Sequence, residues 1–404
     1  MLITFIFWAS VLLLTYVYAG YPLLMHLWAR MWPRRSIEED IQPRVSILVV
    51  VHNESHQLIG RLENLLALDY PVDRVHVLVG SDGSNDGTEA LARDFRHPRV
   101  RFFNFPARRG KSAVMNDLVE AARGEILVMA DARQRFAKDA IEKLVRHFAD
   151  PTVGAVSGEL VLTRNLNGTA VGDGVGFYWR YEKLIRSSES IIDSTVGATG
   201  AIYAIRRELF EPLPEDTILD DVMIPIRIMA RGYRVLFEPQ ARAYDRAAGS
   251  AAEEFTRKVR TITGTFQLLR REAWLFSPLH NRLWVQTLSH KVLRLMGPFL
   301  LAGAFGANLA LLHSSFYRVT LTAQVVFYLA ALGGFLLRDA HRRIRALIVP
   351  YTVCLLNCAT AVALFRFLTQ QKGAIWEAAA PASLVPRPMA ASNRFATRRS
   401  NRIA

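Results

Sequence analysis

The chain has 404 residues, 51 % of them apolar, with a mean hydropathy of +0.14 and a formal net charge of +14. So apolar an average excludes an ordinary water-soluble enzyme. The basic balance forms no stripe interleaved with aromatics on a polar stretch, so no nucleic-acid partner is expected.

Residues 2–29 hold no Asp, Glu, Lys or Arg, and that run exceeds the ~20 residues a membrane helix needs. No basic start, short apolar core or small-residue cleavage site marks it as a cleaved leader, so 1–29 is read as a transmembrane anchor. From about residue 40 to 275 strand-like and helix-like segments alternate, enough for one large domain. A strand is expected over 44–51, followed by the turn His52-Asn53-Glu54-Ser55 and a helix to about Leu68. A second strand begins at Val75 and runs into the loop GSDGSNDGT (80–88). Helices at 86–95, 110–124 and 138–148 alternate with strands at 100–105, 125–130 and 153–162. Such an order argues for an α/β domain built on a mostly parallel sheet covered on both faces. Further on come a strand with a following helix (199–210), a helix opened by Asp220 and Asp221, a strand at 233–239 and a basic helix at 253–271.

Residues 280–294 carry Trp284, Leu288 and Val292 at helical spacing, with Leu295 one turn on and Arg282, Lys291 and Arg294 interspersed. Such a segment either lies in a membrane interface or forms a plain core helix. Residues 295–368 read as a C-terminal membrane region of two or three spans: 295–312, 319–337 and, interrupted by Pro350 and Asn357, 346–364. Arg30, Arg34 and Arg35 follow the first span, and Arg338, Arg342, Arg343 and Arg345 lie between the last two. Cytoplasmic flanks collect Lys and Arg. The domain is therefore expected on the cytoplasmic face of a plasma (inner) membrane, in a multi-pass chain with a basic tail at 369–404. Cys354 and Cys358, four apart with no His or acid beside them, read as small packers rather than metal ligands.

Two of the expected strands stop on acids, Asp82 and Asp131. Asp, Asn, Ser and Gly are also what turns are made of, but ligands in such sheets bind outside the strands' carboxyl ends, and a turn does not explain two strands ending alike. RRGKS (108–112) lacks the glycine that a phosphate-cradling P-loop needs at position 105, which is Phe. No G-x-G-x-x-G follows the first strand, and GDGVG (172–176) follows none, so a dinucleotide dehydrogenase is poorly supported.

Six stretches in order are VSILVVVHNES, GSDGSNDGT, GKSAVMN, ADAR, GATGAIYAIRRELF and LDDVMIPIRIMARGYRVLFEP. Together, over about 44–265, the chain resembles the family 2 glycosyltransferases, in particular the membrane-embedded branch of cellulose, hyaluronan and poly-N-acetylglucosamine synthases. The resemblance implies a GT-A fold, a nucleotide-sugar donor (commonly a UDP-sugar), a divalent metal (Mg or Mn) and inversion at the anomeric carbon. It assigns Asp82 and Glu54 to the nucleoside, and Asp131 to the donor and the metal as first residue of a D-x-D motif. Asp221 becomes the general base, with Asp220 supporting it. Lys111 could approach the phosphates or be a solvated surface lysine, and Asp86 caps the following helix. The second Asp of D-x-D is Arg133 here, so either Asp131 holds a metal with water and phosphate oxygens, or Arg133 supplies part of the charge. The synthases' Gln-x-x-Arg-Trp corresponds to Arg257, Arg260 and Thr261. Arg257 and Arg260 are candidate donor contacts, and the missing Trp favours transfer of one or a few sugars.

The expected activity is thus a membrane-bound inverting hexosyl transfer to a lipid-linked or polysaccharide acceptor. A second reading keeps the fold without the chemistry, as an inactive nucleotide-binding partner subunit. A transporter would place ionisable residues within the spans, but between 295 and 337 only His313 and Arg318 occur, both in the connecting loop.

Overall fold

The computed structural model describes residues 1–163, 170–246, 251–337 and 345–369, with the backbone alone at 170–178 and 345. Arg338, Arg342 and Arg343, the Arg345 side chain, the GDGVG side chains and the basic tail beyond 369 lie outside the described residues.

The apolar run of β1 (Val45–Val51) is buried along its whole length. Its alternate side chains feed two cores, as a strand period of two dictates. Ile47, Val49 and Val51 pack with Leu58, Leu62 and Leu65 of α3 (Ser55–Leu66) and with Ile141 and Leu144 of α6 (Ala140–Val145). Leu48 and Val50 face the other way, onto Val114, Met115 and Leu118 of α5 (Lys111–Ala121) and Ile224 and Ile228 of α8 (Asp220–Ala230).

With β2 (Val75–Asp82), β3 (Val100–Phe105), β4 (Ile126–Ala130), β5 (Arg135–Phe136), β6 (Val153–Thr163), β7 (Ile202–Arg206) and β8 (Arg234–Arg246), β1 forms one eight-stranded sheet of order 3-2-1-4-7-6-8-5. The β3-β2-β1-β4 half is parallel. Beyond it, β7 runs antiparallel to both β4 and β6, β8 is parallel to β6, and β5 is antiparallel to β8. The sheet is therefore mostly parallel, as expected, with antiparallel pairings confined to the β7 and β5 positions. The helix expected after β7 is a single 3₁₀ turn, Arg207–Leu209, and the connection to β8 runs on through α8. The chain order reverses between β1 and β4, which opens a crevice at their carboxyl ends. Helix α4 (Thr88–Asp94) lies between β2 and β3.

Among the described residues, three helical segments are each long and apolar enough to cross a membrane: Leu2–Met31, Ser315–Leu336 and Ala346–Leu368. The first is α1 (Leu2–Thr15) and α2 (Tyr21–Met31), joined by the π turn Tyr16–Gly20. Its Tyr21 hydroxyl donates to Glu189 Oε1 (2.5 Å) on α7 (Ala170–Ile192). The second C-terminal segment expected above is a continuous helix, and so is the third despite Pro350 and Asn357. It is instead residues 295–312 that depart from a simple span. There α10 (Trp284–Gln286), a π turn (Thr287–Val292) and α11 (Leu293–Leu295) meet α12 (Gly297–Ala310) at a 59° bend. Fourteen residues at ~1.5 Å each reach ~21 Å, short of a ~30 Å hydrocarbon core. Within 280–294 the polar residues turn inward: Gln286, Thr287, Ser289 and His290 are buried, while Trp284, Leu288 and Val292 are half-buried. His290 lies between Glu182 (2.6 Å) and Glu189 (2.8 Å) of α7. Helices α13 (Ser315–Leu336) and α14 (Arg345–Leu368) follow, and Ala359 and Ala363 of α14 pack on Val259 of α9 (Ala251–Arg271).

Candidate active site

The loop after β2 is a frame. Asp82 is fully buried, and both its oxygens are taken by backbone: Arg109 N–H donates to Oδ1 (2.6 Å) and Gly110 N–H to Oδ2 (2.9 Å). This pins the segment leading into α5. Gly83, at φ +61°, lies so close to that segment that a Cβ would stand 2.6 Å from Arg108 N, so only glycine fits. Asp86 does more than cap α4. Its Oδ1 accepts from Thr88 N–H (3.0 Å) and hydroxyl (2.5 Å), and its Oδ2 accepts from Ser55 N–H (2.9 Å), which ties the first two strand–helix loops together. Partial burial would raise its pKa, but these bonds to the ionised form win and pull it down to about 2. Glu54 occupies the N-terminal end of α3, where its side chain makes no capping bond, and is 4 % exposed. Burial raises its pKa, with Arg133 opposing and Asp86 and Asp131 adding to the rise.

The acids at 131, 220 and 221 do converge. Lys111, the first residue of α5, places Nζ 3.0 Å from Asp131 Oδ1 and 3.2 Å from Asp220 Oδ1. Its side chain is 15 % exposed, so it is no surface lysine. Burial alone would lower its pKa, but Asp131, Asp220 and Asp221 more than offset that and hold it charged. Asp220 and Asp221 open α8, and the Tyr203 hydroxyl donates to Asp220 Oδ2 (3.4 Å). Gly200 N–H donates to Asp221 Oδ2 (2.8 Å). A Cβ on Gly200 would stand 3.2 Å from that oxygen and 3.7 Å from Asp131 Oδ2, so the two carboxylates share the space beside one glycine. Burial, then the neighbouring Asp220 charge, pushes the Asp221 carboxyl up to about 6, against the pull of Lys111 and the Gly200 N–H. Lys111 is hydrogen-bonded to Asp131 and salt-bridged to Asp220 but not to Asp221, and a carboxylate with a pKa near 6 is matched to taking a proton near neutrality.

Arg260 faces this cluster. Desolvation lowers its pKa, while Asp220, Asp131 and Asp221 favour its charge. Arg257, one turn earlier, is instead paired with Glu254 on its own helix. Thr261 is exposed, and its hydroxyl bonds back to the Arg257 carbonyl.

Three contributors escape the sequence reading. Tyr203 lies inside a strand with no local cue. Gly200 belongs to GATGA, whose paired glycines were a usable signal of close backbone approach. Arg61 occupies the apolar stripe of α3 beside Leu58, Leu62 and Leu65, a position where a cation is anomalous. It is 2 % exposed, lies 4.1 Å over the Phe136 ring and donates to Asn64 Oδ1 (3.0 Å). Burial lowers its pKa to about 9, with Asp131 opposing.

A divalent cation has a limited set of protein ligands here. Among the described residues no cluster of three His, Cys, Asp or Glu side chains could hold one. Asp131 Oδ1 is engaged by Lys111, and its Oδ2 makes no hydrogen bond among the described residues. Hard cations of this kind accept one or two carboxylates when phosphate oxygens and waters complete the shell. Asp131 fits that role, with no second acid at 133.

Residues 46–213 match the model of Glycosyl transferase family 2. The chain is 27 % identical over 208 residues to the beta-monoglucosyldiacylglycerol synthase of Synechocystis, covering 48 % of this chain and 42 % of that one. It is 23 % identical over 235 residues to the poly-beta-1,6-N-acetyl-D-glucosamine synthase of Staphylococcus epidermidis, covering 57 % and 56 %. The chain spans about half the length of the curated relatives it matches. Among solved structures, the mannosyltransferase PcManGT from Pyrobaculum calidifontis, in complex with GDP-Man and Mn2+, superposes with a TM-score of 0.69. The identity is 22 %, and the match covers 91 % of this chain and 100 % of that one. The shared architecture is the GT-A fold.

Proposed function

Because residues 46–213 form a family 2 glycosyltransferase domain, we propose that the chain is a membrane-bound, inverting glycosyltransferase. It takes a hexose from a nucleotide-sugar and delivers it to a lipid-linked or polysaccharide acceptor. The observation that carries this reading is the convergence of Asp131, Asp220 and Asp221 on Lys111 at the carboxyl edge of the sheet.

Each residue has a chemical task in that reaction. A sugar leaving a diphosphate needs positive charge on the leaving group, and Lys111 and Arg260 stand where they can supply it, with Arg133 at the rim. Asp131 would hold a divalent cation, which when bound adds Lewis-acid neutralisation of the diphosphate. The mannosyltransferase neighbour binds Mn2+ with GDP-Man, which supports the metal and brings GDP-sugars into consideration beside UDP-sugars. Asp221 removes the acceptor hydroxyl proton as that oxygen attacks the anomeric carbon from the face opposite the diphosphate, which inverts the configuration. Asp220 holds Lys111 and keeps the Asp221 pKa high. Glu54 and Asp82 line and brace the nucleoside end.

The three apolar helices support membrane insertion. Arg30 in the last turn of the first span and Arg34 and Arg35 just after it favour the cytoplasmic face of the inner membrane for the domain. Exposed apolar side chains such as Phe5, Val319 and Phe365 then face lipid.

The test is a donor screen on the full chain in liposomes, with UDP- and GDP-hexoses, nucleotide release as readout and product sizing. Turnover with one donor class and inverted linkage is the expected result. Binding of UDP or GDP without release or product, with and without Mn2+, overturns it in favour of an inactive partner subunit.

A further inference from the structure

Behind Asp221 lies a buried polar relay. Ser157 of β6 is fully buried. Its Oγ accepts Nη2–H of Arg186 (2.7 Å) and Thr199 N–H (3.1 Å), and donates to the Gly158 carbonyl (3.2 Å). Arg186 comes from α7, is 8 % exposed and lies 4.8 Å over the Phe237 ring. Its Nη2 also reaches the Gly197 carbonyl at 3.5 Å. The segment Gly197–Gly200 is thus held from behind at Gly197 and Thr199.

From the front the same segment holds Asp221. Ala198 N–H donates to the Asp221 carbonyl (2.8 Å), and Gly200 N–H donates to Asp221 Oδ2 (2.8 Å). Amide 198 points to the backbone carbonyl of Asp221, amide 200 to its carboxylate and amide 199 back to Ser157, an alternation that lets one strip serve both sides. Asp221 Oδ1 makes no hydrogen bond among the described residues, so fixing Oδ2 decides where Oδ1 aims.

We propose that Ser157, oriented by Arg186, is the positioning residue that locks Gly197–Gly200 as a backbone cradle for the Asp221 carboxylate. Oδ2 is thereby anchored and Oδ1 is presented to the acceptor hydroxyl. A group that only filled the interior would need no hydroxyl here, whereas this one accepts one bond from the strip, at Thr199, and one from Arg186, which joins the strip to α7. The inference rests on Asp221 acting as the base.

The experiment compares the wild-type full chain with Ser157→Ala, Ser157→Thr, Arg186→Met and Asp221→Asn in liposomes. It follows nucleotide release from the UDP- or GDP-hexose that turns over fastest, between pH 5 and 9, together with UDP and GDP binding. Loosening the Gly200 N–H removes a bond that favours the ionised acid. The acid limb of the Ser157→Ala profile then moves to higher pH by about one half to one unit, the size expected of one hydrogen bond. Turnover falls at least tenfold and nucleotide binding is unchanged. Ser157→Thr, which keeps the hydroxyl, retains the wild-type midpoint. Arg186→Met shifts the midpoint in the same direction and replaces Ser157→Ala should that variant not fold. An unshifted midpoint in both Ser157→Ala and Arg186→Met, with Asp221→Asn inactive, overturns the relay alone. Full turnover by Asp221→Asn overturns the base assignment and the relay with it.

Discussion

Asp82 and Asp221 are both acids enclosed at the edge of one sheet, yet their surroundings give them opposite uses. Asp82 has each oxygen occupied by a backbone N–H of the 109–110 segment. Asp221 has one such bond, a carboxylate neighbour and a lysine too far committed to Asp131 and Asp220 to neutralise all three acids. The first is a bracket that shapes a loop. The second keeps a free oxygen and a pKa near 6. Burial alone does not make an acid reactive; incomplete compensation does.

That contrast can be broken most forcefully at Asp221. Asp221→Asn is expected to cut kcat by about 10³-fold, within the range assigned to general bases, while UDP or GDP binding persists. The same change should stabilise the fold. An acid whose folded pKa is raised from 3.8 to about 6 loses stability as pH climbs through that window, because the folded state favours the proton. Removing it returns up to about 3 kcal/mol at pH 8, from about 1.36 kcal/mol per pH unit. A variant that is active, or is less stable in urea, contradicts the assignment.

Lys111→Met comes next, at about 10²-fold in turnover, since one partner of an enclosed charge group is lost. Lys111 opposes the rise of the Asp221 pKa, so the acid limb of the pH profile should move above 6. A profile that stays put would separate Lys111 from the base. The two arginines of α9 then sharpen the map: Arg260→Ala should lower kcat/KM about tenfold, and Arg257→Ala, held by Glu254, less than about threefold. Equal effects would place both on the donor. Smallest in chemistry is Asp82→Asn, whose amide would set an N–H against a backbone donor. It should cost about 1–3 kcal/mol of stability and raise donor KM a few-fold, with the pH midpoint unmoved; a moved midpoint would end the distinction.

Much of this was legible along the chain because strand ends are marked by composition. VSILVVV and VHVLVG stop where Asn, Asp, Ser and Gly begin, so the carboxyl edge and its acids are local information. Helix starts at Lys111 and Asp220 were equally visible. The roles of Arg257 and Thr261 were not, since three residues along α9 decide whether a side chain meets Asp220 or its own helix.

By itself the sequence determined the alternating α/β order, the apolar spans and the residue types at the sheet's edge, since each depends on neighbours within a few positions. Only the tertiary structure decided that β7 inserts antiparallel, that residues 284–310 bend rather than run straight, and that Ser157 and Arg186 stand behind Asp221. Those outcomes hang on contacts between segments distant in the chain, and a buried hydroxyl or guanidinium leaves no periodic mark that would announce its partner.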